Sequence, residues 1–112
     1  MRPVYRAEGP DRLLRDARMD NDEATAVLGA ELAALRDEEY AELVRRTSAG
    51  PLVFERTAPS GRTYQVEVYI SWDDRHGGNV RVMASIDDGG WRALVPLTRD
   101  FVKAPNGSFV GE

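Results

Sequence analysis

The stretch from Thr63 to Trp72 constrains this chain more than any other. Tyr64, Val66, Val68, Ile70 and Trp72 alternate with Thr63, Gln65, Glu67, Tyr69 and Ser71. A period of two puts one set on each side of a β-strand, one apolar and one polar. Such a strand needs partner strands and a cover for its apolar side. The sequence after it supplies neighbours. Val80, Val82, Ala84 and Ile86 restart the alternation opposite Arg81, Met83 and Ser85. Leu52–Thr57 precedes it as another strand, joined through the turn Ala58-Pro59-Ser60-Gly61, where proline presets φ and glycine supplies a positive φ. Asp87-Asp88-Gly89-Gly90 forms a second tight turn. Trp91–Val95 then reads as a strand ending at Pro96. Phe101-Val102 and Phe109-Val110 around Asn106-Gly107 suggest a last small hairpin with a type I′ turn.

The cover comes from the first 48 residues, which lack strand alternation. Pro10-Asp11 opens a short helix with Leu13, Leu14 and Ala17 on its apolar face. Asp20, with Glu23 three residues on, has the spacing of a capping box. Leu28, Leu32, Leu35, Tyr40, Leu43 and Val44 then fall in one broad stripe at about 100° per residue. The acidic run Asp37-Glu38-Glu39 fits an exposed turn of one long helix or a break between two, and a single helix, bent if anything, is the expectation. Ala49-Gly50-Pro51 ends it. The expected fold class is α+β: N-terminal helix or helices packed on one face of a four- to five-stranded antiparallel β-meander. A single domain over 1–112 is expected, with a helical layer over 1–48 and the sheet and C-terminal hairpin over 51–112. The 112 residues suit one modest core.

Composition narrows the chemistry. There is no cysteine, which removes thiolate nucleophiles, disulfides and thiolate metal sites. His76 is the only histidine, so a multi-histidine metal site within one chain is excluded. No apolar run approaches the length of about 20 residues that spans a bilayer, and the N-terminus has no signal-peptide core. A cytoplasmic protein with no membrane partner is expected. The formal net charge is −4. The first 48 residues carry 8 basic and 11 acidic residues, the remainder 7 and 8. Neither part is a basic module, so nucleic acid is not an expected partner. No cofactor is expected, and Gly77-Gly78 and Gly89-Gly90 lack the context of a phosphate loop.

Candidate functional residues lie on the polar side of the sheet: Gln65, Glu67, Tyr69, Arg81, Met83, Ser85, Arg92 and Leu94. Tyr, Met and Arg are enriched in protein interfaces. Cross-strand Glu67–Arg81 or Glu67–Arg92 pairs would make the same surface an ordinary solvated face. A partner protein, or a homodimer through this face or an edge strand, is the expected contact. Asp73-Asp74 and Asp87-Asp88 flank one strand at opposite ends and should not meet, so each pair reads as turn chemistry rather than a shared metal site. His76 beside Asp73 and Asp74 is the one candidate general base, but no serine has a nucleophile-elbow context. Trp91 could floor a ligand pocket.

Three segments, Ser85-Ile86-Asp87-Asp88-Gly89-Gly90-Trp91-Arg92-Ala93, Pro96-Leu97-Thr98-Arg99-Asp100-Phe101 and Ala104-Pro105-Asn106-Gly107-Ser108-Phe109-Val110-Gly111-Glu112, together resemble small bacterial domains of unknown function. The resemblance spans about residues 62–112. It implies a bacterial cytosolic protein and no activity. Two classes of function follow from the residues. One is a non-catalytic protein-interaction module, such as an inhibitor or immunity-like protein that meets a basic partner. The other is a small hydrolase or ligand-binding enzyme using the loop carboxylates and His76.

Overall fold

The computed structural model describes residues 21–88 and 97–112. Helix α1 covers 21–36 and helix α2 covers Tyr40–Arg46. Strands β1 (Leu52–Thr57), β2 (Thr63–Trp72), β3 (Val80–Asp87) and β4 (Leu97–Lys103) follow in chain order. They form one antiparallel sheet in the order β1-β2-β3-β4. The fold is α+β, with the helices on one sheet face. The helix at Pro10-Asp11 and the strand at Trp91–Val95, with Arg92 and Leu94, lie outside the described residues.

The alternation of β2 governs the packing. Tyr64, Val66, Val68 and Ile70 are buried, and Thr63, Gln65, Glu67 and Tyr69 are exposed. The register sets Val66 beside Ile86, Val68 beside Ala84 and Ile70 beside Val82. On the next strand Phe101 stands beside Val82. From the helical side, Ala24, Leu28 and Leu35 of α1 and Leu43 of α2 join these residues in one core. Each large apolar side chain fully buried there contributes about 1.5–3 kcal/mol, so the paired stripes dominate stability.

The helical layer is two helices, not the single one expected. The Asp37 N–H still donates to the Ala33 carbonyl at 3.3 Å, but the Glu38 N–H tightens onto Leu35 at 3.1 Å. Glu39 then turns to extended backbone at φ −71° and ψ 152°. Three consecutive carboxylates sit badly at the negative end of a helix dipole and well at the positive start of the next. A break divides the run between those two ends. It also leaves carbonyls at the end of α1 to be satisfied. Lys103 of β4 supplies the donor: its Nζ reaches the carbonyls of Arg36 (2.9 Å) and Glu38 (2.6 Å). Tyr40 ties α2 to the sheet by donating its hydroxyl to the Gly78 carbonyl at 2.7 Å.

The C-terminal hairpin forms, but not through a type I′ turn. Lys103 bridges Phe109, and the Val110 N–H donates to the Val102 carbonyl at 2.9 Å. A type I′ turn needs positive φ at both central residues, whereas only glycines have positive φ among the described residues. Instead the Ala104 N–H donates to the Ser108 carbonyl and the Gly107 N–H to the Ala104 carbonyl, both at 2.8 Å, with Gly107 at φ 88°. The β1–β2 turn repeats this pattern. Ala58 N–H to Arg62 C=O and Gly61 N–H to Ala58 C=O are both 2.8 Å, with Gly61 at φ 91°. Ala-Pro-Ser-Gly and Ala-Pro-Asn-Gly thus build the same hairpin connection twice. Beyond the second turn, the tail lies on α1. Glu112 accepts two hydrogen bonds from the Arg36 guanidinium at 2.6 and 2.8 Å, and that guanidinium stacks 3.7 Å from the Phe109 ring centre.

Candidate functional site

The sheet face turned away from the helices collects the expected surface residues. Tyr69 stands directly beside Met83, and Glu67 beside Ser85. Tyr69 is 50% exposed and Met83 37%. On β1, Val53 lies beside Glu67 and Glu55 beside Gln65. On β4, Asp100 lies beside Met83. The result is a platform with Tyr69 and Met83 on its two inner strands, Glu67 in the row beside them, Val53 and Glu55 on the β1 edge and Asp100 on the β4 edge. The sequence reading missed Val53, Glu55 and Asp100. In Leu52–Thr57 both alternating sets mix apolar and charged residues, so the period does not say which set is covered.

Arg81 is held inside the platform rather than offered by it. Its Nε donates to Asp73 at 2.9 Å, its second terminal nitrogen lies 2.7 Å from the same carboxylate, and the other pairs with Asp100. The hydrogen bonds it donates to Asp73 and then to Asp100 hold its pKa above the usual guanidinium value. The expected Glu67–Arg81 pair does not form. The register places Arg81 beside Ser71 and Val102, one pair of rows from Glu67. A Glu67–Arg92 pair falls outside the described residues.

The other candidates disperse. Asp73 and Asp74 lie in the loop before β3 and Asp87 ends that strand, so the two acidic turns stand at opposite ends as expected. Among the described residues no three His, Asp or Glu side chains cluster to hold a metal. His76 is exposed and packs its ring 4.8 Å from that of Trp72, while its neighbour Asp73 is engaged by Arg81. The suggested base and carboxylate are thus each committed to a structural contact. Trp91, the suggested pocket floor, falls outside the described residues.

A hollow of about 730 Å³ lies between α1 and the β1–β2 turn, lined by Ala26, Val27, Ala30 and Pro59 with Asp22, Glu23, Ser60 and Arg62. Glu23 accepts from the Ser60 hydroxyl at 2.8 Å and the Tyr64 hydroxyl at 2.9 Å. The Ser60 bond above all holds its carboxyl below the usual range. This carboxylate anchors α1 to the sheet, so the hollow has walls of alanine, valine and proline with its acid turned to structural use.

Set against protein-family models, curated proteins and solved structures, the chain matches none. Among the described residues no helix is long and apolar enough to cross a membrane.

Proposed function

We propose that this chain is a non-catalytic protein-interaction module that docks a basic protein on its open sheet face. The carrying observation is the exposed Tyr69–Met83 pair, with Val53 on the neighbouring strand and Glu55 and Glu67 on the same face, while Asp100 is taken up by Arg81. Four strands about 4.8 Å apart, and ten residues of β2 at about 3.3 Å each, give a platform of roughly 500–600 Å². That approaches the ~800 Å² per partner of a standard interface. Aromatic and methionine side chains supply apolar contact with adaptable shape. The acidic edge speeds encounter with a positively charged partner and selects against an acidic one. A bacterial cytoplasmic inhibitor or immunity-like protein facing a basic toxin is the narrower form of this reading.

The test is recovery of the tagged full chain from its own cells, with identification of what co-elutes. A stoichiometric basic protein that is lost with Tyr69→Ala plus Met83→Glu, and retained with Glu39→Gln on the helical side, is the expected result. A lone chain, or a partner indifferent to the platform substitutions, overturns the reading.

A further inference from the structure

The two edges of the sheet are treated differently. At β4 the chain's own tail closes part of the edge, through the Lys103–Phe109 bridge and the Val110–Val102 hydrogen bond. At β1 the inner side pairs with β2 along Leu52–Thr57, and among the described residues no strand meets the outer side. A bare edge presents a row of backbone donors and acceptors, a template for another strand. Among the described residues the outer side of β1 is protected only by the strand's six-residue length and by the charges of Glu55 and Arg56. Leu52 is 54% exposed and Val53 51%, and the alternation sends these two apolar side chains to opposite faces.

A groove runs beside this edge on the helical side. Two hollows of about 330 and 240 Å³ share Arg46, Leu52 and Val68, with Leu35 and Phe54 along one and Ile70 along the other. The charges at its rim are internally matched. Arg46 pairs with Glu42 at 3.2 Å, and Arg56 with Glu31 at 2.5 Å while stacking 4.4 Å from the Phe54 ring centre. What the groove offers is apolar. On the opposite face stand exposed Glu55 of this edge and Glu67 of the adjoining β2.

We propose that β1 is a docking edge for an extended segment of a partner protein, which adds as a fifth strand. Main-chain hydrogen bonds to β1 would supply affinity, and alternate side chains specificity. One set, apolar, enters the groove; the other, lysine or arginine, lies over Glu55 and Glu67. A second copy of β1 fits this edge poorly. Antiparallel self-pairing centred on Glu55 sets two carboxylates directly opposite each other, which is destabilising. Centring on Phe54 brings Pro51, which has no N–H, opposite Thr57.

The experiment follows amide hydrogen exchange in the full-length ¹⁵N-labelled chain. The probe is a short synthetic peptide of alternating valine and lysine. Added protection confined to residues 52–57 is expected, together with no effect from the same peptide methylated on every backbone nitrogen. Glu55→Lys should weaken the valine–lysine peptide about tenfold. Equal effects from the methylated peptide, or no gain of protection in β1, overturn the proposal. Protection that rises with protein concentration alone assigns the edge to a second copy and overturns it too. None of these readouts depends on Tyr69 or Met83, so the edge and the open face succeed or fail separately.

Discussion

The Lys103 ammonium ends 2.6 Å from the carbonyl oxygen of Glu38, joining the last strand to the break between the two helices. Lys103 is 7% exposed and is the only buried charged residue among those described. Its second bond, to the Arg36 carbonyl at 2.9 Å, satisfies another acceptor left by the end of α1. A cation at this end of a helix is also favoured by the dipole. Replacing it by methionine keeps the apolar stem and removes both donors. Lys103→Met should lose about 1.5–3 kcal/mol, the range for a hydrogen bond involving a charged group. Urea unfolding followed by circular dichroism measures it. A loss below about 0.5 kcal/mol, the lower end for any hydrogen bond, would show that water satisfies these carbonyls as well as Lys103 does.

Acid should loosen two particular attachments. Glu23 is held below its usual pKa first by the Ser60 hydroxyl, and Glu112 by the Arg36 guanidinium. A carboxyl whose folded pKa is depressed stabilises the fold above its unfolded value. That stabilisation is lost as pH falls from about the ordinary glutamate value of 4.5 through the lower folded value. Urea midpoints should therefore fall between pH 5 and pH 3. In Glu23→Gln and Glu112→Gln the fall should be smaller, because the glutamine does not titrate. An unchanged slope in both variants would assign the acid sensitivity to other carboxyls.

Burial and exposure on neighbouring residues of β2 make a sharper contrast. Val68 is 4% exposed and Tyr69 50%. Val68→Asp puts an unpaired carboxylate among Leu35, Val66 and Ala84 and should prevent folding at neutral pH. Leu43→Ala, which leaves a cavity beneath α2, should cost about 2–5 kcal/mol. Tyr69→Ala removes one cross-strand pair with Met83 and should cost under about 1 kcal/mol. Thermal or urea denaturation of the three variants orders them. A Tyr69→Ala cost as large as that of Leu43→Ala would mean the face is not open.

How much of this was legible before the coordinates depended on whether a residue's neighbours are local. The faces of β2 and β3, the helical cover and the turn at Gly61 follow from spacing alone, because period and turn chemistry are local properties. The helix break at Asp37–Glu39 did not follow. The apolar stripe from Leu28 to Val44 continues in phase across it, and the capping donor lies 65 residues away at Lys103. The partner of Arg81 was missed for a similar reason. It depends on the β2–β3 register and on the position of β4, and Leu97–Asp100 shows no alternation to announce a strand. On the candidate face, Tyr69 and Met83 were readable from β2 and β3. Val53, Glu55 and Asp100 required knowing how the edge strands lie.

The two Ala-Pro-x-Gly turns give a test in which conformation is the only variable. Gly61 and Gly107 have φ of 91° and 88°, and a Cβ added at either would meet nothing within 4 Å. Alanine therefore meets no steric neighbour, and its penalty comes from the left-handed backbone itself, about 1–2 kcal/mol at each position. Asparagine tolerates that region better, so Gly61→Asn and Gly107→Asn should lose less than the alanine variants. The positions are far apart, so the double alanine variant should lose the sum of the singles within about 0.5 kcal/mol. Urea unfolding of the set measures this. A penalty at Gly61 with none at Gly107 would mean that the C-terminal hairpin opens without cost to the rest. The bonds from Lys103 to α1 would then have to hold without the turn that follows them.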